Sequence, residues 1–369
     1  MEKYPKIAIV YLLYYHVESH VDDMVSALKK LTYPKDKVEL IIVSNPMPEK
    51  GHFLRYIDDT VVPLSGKEIS HVTVISCDTN LGFAGGNNLG AQWAIDNEFD
   101  YVFFHNNDGF FAANALEPLV RVMESDKTIG ITQSLILLHP ETNLVNTTGN
   151  SFHYLGFGFC DEYRYDVNKL NLPAVKEISY ASGAAFMIST KLMKEYGMWD
   201  HDFFLYHEDL EWAYRLRSAG YKTVMVRDSV FYHKYQFSRS IQKFYWMERN
   251  RYGVMLMFFK WRTLLLMLPM QIVMECGLVV FALKGGWFDK RLELYKYWIK
   301  PASWKLWLGK RKNIFAIKKK NGVTDRDLLK TTVSKILFQD ESMRNPLLIY
   351  VGNPIMTVYY KLFMFLVRW

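Results

Sequence analysis

Residues Val72–Gly109 read VTVISCDTNLGFAGGNNLGAQWAIDNEFDYVFFHNNDG. The run Val72–Cys77 is β-branched and apolar, and Tyr101–Phe104 is a second apolar run. Between them lie a glycine-rich segment, Asn80–Gly90, and a stretch expected to be helical over Asn87–Asn97. Strand, glycine turn, helix and strand in that order make a βαβ unit, the building block of a parallel sheet. Glycines let the backbone approach a ligand closely, and the N–H groups that open a helix favour an anion. The spacing matches neither the dinucleotide fingerprint nor a Walker loop, and a tight strand–helix turn also explains it. At the far end, Asn106-Asn107-Asp108 brings amide and carboxylate oxygens to a sheet's C-terminal edge, where open α/β sheets bind ligands and hard cations find oxygen donors. An Asx-rich turn closing a strand has the same composition.

Outward from this unit the alternation continues. Strands are expected at Lys6–Leu13, Val38–Val43, Ile129–Leu137, Ala184–Ile188 and Lys222–Val226. Helices are expected at Ser19–Leu31, Ala113–Ser125, Thr190–Tyr196 and Asp209–Ala219, the last two followed by Gly197 and Gly220 where a helix C′ glycine belongs. The fold class is therefore α/β, a mostly parallel sheet flanked by helices, over residues 1–240. From 241 to 369 the texture changes to long apolar helical stretches and basic linkers, and the boundary is placed at Arg239–Ser240.

The chain has 369 residues, of which 50% are hydrophobic and 22% charged, which excludes a disordered class. Three dispersed cysteines, Cys77, Cys160 and Cys276, make a disulfide framework or zinc site a poor reading and fit a reducing cytoplasm. The opening MEKYPKIAIVYLLYY lacks a signal-peptide cleavage site and reads as a first strand.

Acidic residues gather again in Phe203–Arg217, FFLYHEDLEWAYRLR, at the start of a helix whose Leu210, Ala213 and Leu216 recur at helical spacing. The helix dipole alone stabilises acids there. Glu208 and Asp209 also stand where a carboxylate could act as a general base.

Taken in order and spacing, these clusters resemble glycosyltransferase family 2, and within it the rhamnosyl- and galactofuranosyl-transferase-like branch. The resemblance runs through Asn80–Asn88, Asn106-Asn107-Asp108, Ser182-Gly183-Ala184, Gly197-Met198-Trp199-Asp200, Glu208-Asp209, Ala219-Gly220-Tyr221 and Phe231–Lys234, over roughly residues 6–255. It implies a GT-A Rossmann-like fold and an inverting transfer of a sugar from a nucleotide-diphosphate-sugar donor to an acceptor hydroxyl of a cell-surface or lipid-linked glycan. Leu13, Tyr14, Ser44 and Asn45 would line the base and ribose. Gly82, Gly85, Asn87, Asn107, Gly183 and Ala184 would lie along the nucleotide sugar. Asp108 would bind Mg²⁺ or Mn²⁺ with help from Asn106, and His233 would complete the metal or diphosphate contacts. Asp209, beside Glu208, would deprotonate the acceptor, and Trp199 and Asp200 would shape the sugar and acceptor pocket. Two departures from the family pattern stand out: Ser44 replaces an aspartate, and the metal motif begins with Asn106. A nucleotidyltransferase and a catalytically inactive carbohydrate-binding or scaffold relative are the alternatives.

The C-terminal region is expected to associate with a membrane. From Lys284 to Lys330 basic residues outnumber acidic ones about three to one, a composition that suits anionic lipid. No RRM, KH or helix-turn-helix pattern accompanies it, so no nucleic acid partner is expected. Thr263–Leu283 is long enough to span a bilayer but contains Pro269, Gln271 and Glu275, and Gly352-Asn353-Pro354 interrupts the apolar Leu347–Trp369. A charge at mid-bilayer costs about 2.5–3.5 kcal/mol. Helices lying in the interface on the cytoplasmic face are therefore expected, with a homo-oligomer interface as the other use of the surface. Arg249-Asn250-Arg251 is expected near an anionic donor or lipid phosphate.

Overall fold

The computed structural model describes residues 4–14, 17–47, 51–235, 244–337 and 345–369. The expected boundary at Arg239–Ser240 lies outside them. The described residues fall into two compact units. One takes the chain up to Asn150, Cys160–Ala213 and Tyr221–Tyr235; the other takes Ser151–Phe159, Tyr214–Gly220 and the described part of 236–369.

The first unit is built on a ten-stranded sheet. Its strands are β1 (Ile7–Leu13), β2 (Val38–Ser44), β3 (His71–Ser76), β4 (Tyr101–His105), β5 (Gly109–Phe111), β6 (Ile129–Leu138), β7 (Val145–Thr147), β10 (Val175–Glu177), β11 (Ala185–Ser189) and β12 (Lys222–His233). The numbering leaves β8 (Asn150–His153) and β9 (Gly158–Cys160) for a second, three-stranded sheet with β13 (Thr332–Val333). The main order is β10-β12-β6-β11-β4-β1-β2-β3, with β5 beside β12 and β7 beside β6. β1, β2, β3, β4, β6 and β12 run in one direction, while β11 is inserted antiparallel between β4 and β6. Every residue of β1 and β6 is buried, as continuous apolar strands covered on both faces require.

The helices are α1 (Glu18–Lys30), α2 (Leu54–Thr60), α3 (Gly82–Asp96), α4 (Leu116–Ser125), α5 (Thr190–Tyr196) and α6 (Glu208–Ser218). The first difference from the sequence reading is α3, which begins at Gly82 rather than Asn87. Asn80 Oδ1 accepts the Gly82 N–H at 2.9 Å, and Gly82 itself has φ +70°. Further along, glycine serves close packing: a Cβ on Gly86 would lie 2.4 Å from Leu12 Cδ1, and one on Gly90 would lie 2.6 Å from Val10 Cγ1. The second difference is β12, which continues past Val226 to His233. Exposed Arg227 and Asp228 look like a turn, but they sit where the register with β6 shifts between Val226 and Val230. Such a bulge bends a strand and re-aims the residues beyond it.

The C-terminal ends of the parallel strands align. Leu13 pairs with Ser44, Ser44 with Ser76, and Tyr11 with His105. His233, at the end of β12, pairs with Gly109 of β5 immediately after Asp108.

The second unit is mainly helical: α7 (Phe244–Phe258), α8 (Trp261–Gly285), α9 (Phe288–Ile299), α10 (Pro301–Asn321), α11 (Asp325–Leu329) and α12 (Asn353–Leu366). The interruption expected at Gly352-Asn353-Pro354 is a π-helical turn, Leu348–Gly352, that runs into α12. Ser151–Phe159 and Tyr214–Gly220 join this unit because β8 pairs with β13 and the Tyr214 hydroxyl lies 2.9 Å from Thr331 Oγ1. Arg249 and Arg251 do not face outward. Arg251 is 1% exposed, with its guanidinium on Glu248 at 2.9 Å and on the Leu155 carbonyl, and Arg249 is buried against the Trp246 ring. Their burial removes them from the anion contact expected of them.

Replacing Gly90 with leucine should overpack the α3 contact with β1 and β2. The expected loss is about 1–3 kcal/mol, read as a lower midpoint in urea unfolding.

Candidate active site

The residues after β4 form the first half of the site. Asn106 Nδ2 donates to Asp108 Oδ1 at 2.7 Å, and His233 Nε2 lies 2.9 Å from the same oxygen. Tyr11, fully buried, donates its hydroxyl to the Asn107 carbonyl at 3.1 Å and so fixes the turn. Burial pushes the Asp108 carboxyl up, but the facing His233 more than offsets this and holds it below its usual range. The adjacent His105 is driven down to about 4 by burial and stays neutral.

His233 is oriented from behind. Its Nδ1 lies 2.8 Å from Asn146 Oδ1, an acceptor, so Nδ1 carries the proton. Nε2 is then turned toward Asp108 Oδ1 and toward the Asn106 amide 3.3 Å away. At 2.9 Å that nitrogen and the carboxylate oxygen share either a proton or a cation. A carboxylate, an imidazole and an amide that can turn its oxygen inward are a donor set for Mg²⁺ or Mn²⁺, so the residues fit the expected metal. Among the described residues no group of three or more His, Cys, Asp or Glu side chains gathers at metal-binding distance. Asp108 and His233 would therefore carry the ion with Asn106.

The second half is Glu208-Asp209 at the start of α6. Burial raises both carboxyls well above the ordinary range, and Asp209's charge raises Glu208 further. Asp209 loses its proton first, because its oxygens accept the N–H groups of Leu210 at 2.8 Å and Gly183 at 3.3 Å. Glu208 is 6% exposed, and its Oε2 has no hydrogen-bond partner, as suits a carboxyl that keeps its proton. Just upstream, Phe204, Tyr206 and His207 have φ of 60°, 68° and 66°. Such left-handed geometry costs about 1–3 kcal/mol per residue and clusters at functional sites.

The two halves meet on the segment before β11. Asn106 N–H donates to the Ala184 carbonyl at 2.9 Å, and the next residue back, Gly183, donates its N–H to Asp209. Two adjacent residues thus hold the Asn106–Asp108 turn and the carboxylate pair in one frame.

Other expected site residues are placed differently. Ser44 is fully buried, with Oγ 2.9 Å from His52 Nδ1. Asn45, 3% exposed, donates to the Gly82 carbonyl and accepts from the Leu81 N–H, so it clamps the start of α3. Leu13 is buried and Tyr14 half-buried at the same edge. Asn87 turns back onto Phe83 O at 2.9 Å. A Cβ on Gly85 would meet Leu81 Cβ at 2.8 Å, which explains that glycine by local packing. Gly82 faces the segment ahead of α6, where an added Cβ would touch the Phe204 ring at 3.4 Å. Trp199 is 3% exposed, packed with Phe83, Phe104, Phe186 and Trp212, and shapes the site only from beneath. Asp200 caps the short turn His201–Phe203 by accepting the Asp202 N–H.

Sequence reading missed Asn146 and Gln133, whose Oε1 accepts the Ser182 N–H at 2.7 Å just ahead of Gly183. The available signal was polar residues inside apolar strands, Thr132-Gln133-Ser134 and Val145-Asn146-Thr147, all buried. Buried polar groups of that kind need partners.

Residues 5–253 match the family described as glycosyltransferase-like family 2. A low-salt glycan biosynthesis hexosyltransferase of Haloferax volcanii is 24% identical over 148 residues, which are 37% of this chain and 44% of that protein. GalNAc-T7, crystallised with UDP, GalNAc and Mn²⁺, aligns at a TM-score of 0.53 and 17% identity over 71% of this chain and 49% of its own. TarS of S. aureus aligns at 0.51 and 14% identity over 97% of this chain and 55% of its own. The chain thus spans less than two thirds of each relative's length, and the two structural likenesses establish the fold.

Replacing Asn146 with leucine should free the His233 ring from its orienting acceptor. Mn²⁺ affinity, measured by titration calorimetry in the presence of nucleoside diphosphate, should fall about 10–100-fold with little change in thermal midpoint.

Proposed function

The chain belongs to glycosyltransferase-like family 2, and on that premise we propose that it is an inverting, metal-dependent glycosyltransferase. It takes a sugar from a nucleotide-diphosphate-sugar and delivers it to an acceptor hydroxyl of a cell-surface or lipid-linked glycan. The observation that carries this reading is the Gly183-Ala184 frame, which ties the half-buried Asp209 carboxylate to a carboxylate–imidazole–amide cluster.

The chemistry follows from that arrangement. Asp209 takes the acceptor proton as the acceptor oxygen bonds to the anomeric carbon. The bond from that carbon to the diphosphate breaks, and nucleoside diphosphate leaves. The transition state resembles an oxocarbenium ion, as in glycoside hydrolysis. A divalent cation, when bound, neutralises the charge gathering on the diphosphate. Asp108, His233 and Asn106 hold the site for it, and Asn146 and Tyr11 keep that cluster in place. Attack assisted by one base on the face opposite the leaving group inverts the anomeric centre. Glu208 supports this reading, since a protonated neighbour is neither a second base nor a covalent nucleophile. The N–H groups opening α3 suit an anionic donor.

Two measurements test the proposal. A panel of sugar nucleotides with Mn²⁺ should identify a donor from which the wild type releases nucleoside diphosphate. Release of pyrophosphate would point instead to nucleotidyl transfer, and no turnover of any donor to an inactive relative. With the donor in hand, Asp209→Asn should lower kcat by about 10²–10⁴, the contribution typical of general base catalysis. Because the base must be ionised and burial raises its pKa, the rate should fall on the acid side at a pH above the usual aspartate range. Glu208→Gln, which mimics the protonated neighbour, should keep most of the activity and the same acid limb. Loss of activity in this variant equal to that of Asp209→Asn would reassign the base.

A further inference from the structure

The second unit turns its polar residues inward. α8 is 25 residues long, about 37 Å, and passes by length and composition as a membrane span. The two polar residues in the middle of the helix, Gln271 and Glu275, however, both face the protein. Gln271 bonds to the Leu155 carbonyl and to Arg251, while Glu275 pairs with Arg291 and accepts the hydroxyls of Tyr252 and Tyr295. The opposite face is apolar throughout: Leu265 (66% exposed), Leu268, Ile272, Val273 (62%) and Val280 recur at helical spacing with no charge among them. α12 packs beside α8, with the Tyr359 hydroxyl on the Leu266 carbonyl and the Trp369 indole on Thr263. It adds its own stripe of Ile355, Val358, Leu362 (61%) and Phe365 (66%). Two adjacent exposed apolar stripes far exceed the scattered exposure normal for a soluble surface and mark an interaction site.

Charge decides the occupant. The stripes are bordered by Arg262, Lys284, Lys361 and Arg368, and neither stripe carries an acid. α10 contains no acidic residue and exposes Lys305, Lys312, Lys319 and Lys320. It is tied to the start of α8 by Arg311 over the Trp261 ring at 4.7 Å. A second copy docked on this face about a two-fold axis would set these cations against their own equivalents. Anionic lipid headgroups neutralise them.

Crossing is the other way to meet a bilayer, and the packing argues against it. α7 and α9 flank α8 in sequence, yet Arg291 of α9 bonds to Glu248 of α7 at 2.6 Å. Placing α8 across the membrane would draw that buried charge network to mid-depth, and with it the exposed Lys290–Glu293 pair of α9.

We propose that the outward faces of α8 and α12 are a docking surface for an anionic bilayer. The helices lie in the interfacial plane, apolar stripes among the acyl chains and the α10 lysines at headgroup level. Flotation of the full chain with phosphatidylcholine vesicles, with and without phosphatidylglycerol, tests this independently of enzymatic turnover. The wild type should float with the anionic vesicles and be released by high salt or alkaline carbonate. Leu265→Glu/Leu362→Glu should reduce binding about tenfold or more. Lys312→Glu/Lys319→Glu should reduce it about tenfold at low salt. Thermal unfolding, and nucleoside diphosphate release in solution if the proposed activity holds, should stay unchanged in both. Three results would overturn the proposal: no flotation with any vesicle, a dimer in solution that the leucine substitutions dissociate, or retention in the bilayer after carbonate.

Discussion

Two backbone groups set the geometry of the candidate site: the Ala184 carbonyl that accepts the Asn106 N–H, and the Gly183 N–H that reaches Asp209. They exist because β11 enters the sheet antiparallel between β4 and β6. A parallel strand there would present a different edge to the turn after β4. The insertion places the Asn106–Asp108 turn at the end of one strand, the carboxylate pair at the start of a helix, and a rigid two-residue frame between them. Gln133 secures the approach to that frame through the Ser182 N–H, so β6 also holds Asp209 in place.

The site also holds groups in states that water would not favour. Glu208 is buried and Asp209 half-buried, and both have raised pKa values. Three consecutive-region residues in left-handed backbone, Phe204, Tyr206 and His207, lead into them. Burial of this kind disfavours the charged form, and the surrounding core must compensate. That core is aromatic: Phe104, Phe186, Trp199 and Trp212 pack in edge-on and tilted pairs beneath the site. Trp199 therefore matters as a floor beneath the segment that leads into Glu208 and Asp209.

The helical unit follows a different logic. Its interior contains Glu248, Arg251 and Arg291 in mutual ion pairs, plus Lys318 on Asp325 at 2.5 Å. Its surface carries leucine, isoleucine and phenylalanine. Buried ion pairs of this sort contribute little net stability but are costly to break, so they fix which faces of α7, α8 and α9 turn inward. The outward apolar faces follow from that choice.

Local physics made much of this legible in the sequence. Apolar runs of period two or fully buried, helical spacing of Leu210, Ala213 and Leu216, and glycines after α5 and α6 depend only on near neighbours. They placed β1, β2, β4, β6, α1, α5 and α6 to within a few residues. The ordered motifs carried the family and pointed to Asp108, His233 and Asp209, which the structure places on one sheet edge and one frame. What tertiary structure decided was direction and partnership. Asn45 and Asn87 look like ligand contacts but close hydrogen bonds within the fold. Asn146 looks like part of an ordinary strand but orients His233 from 87 positions away in sequence. Gln271 and Glu275 look like obstacles to lipid contact until their inward pairing leaves the other face of α8 apolar. Each of these rests on contacts between residues distant in the chain, and periodicity contains no information about which side chain a folded neighbour will meet.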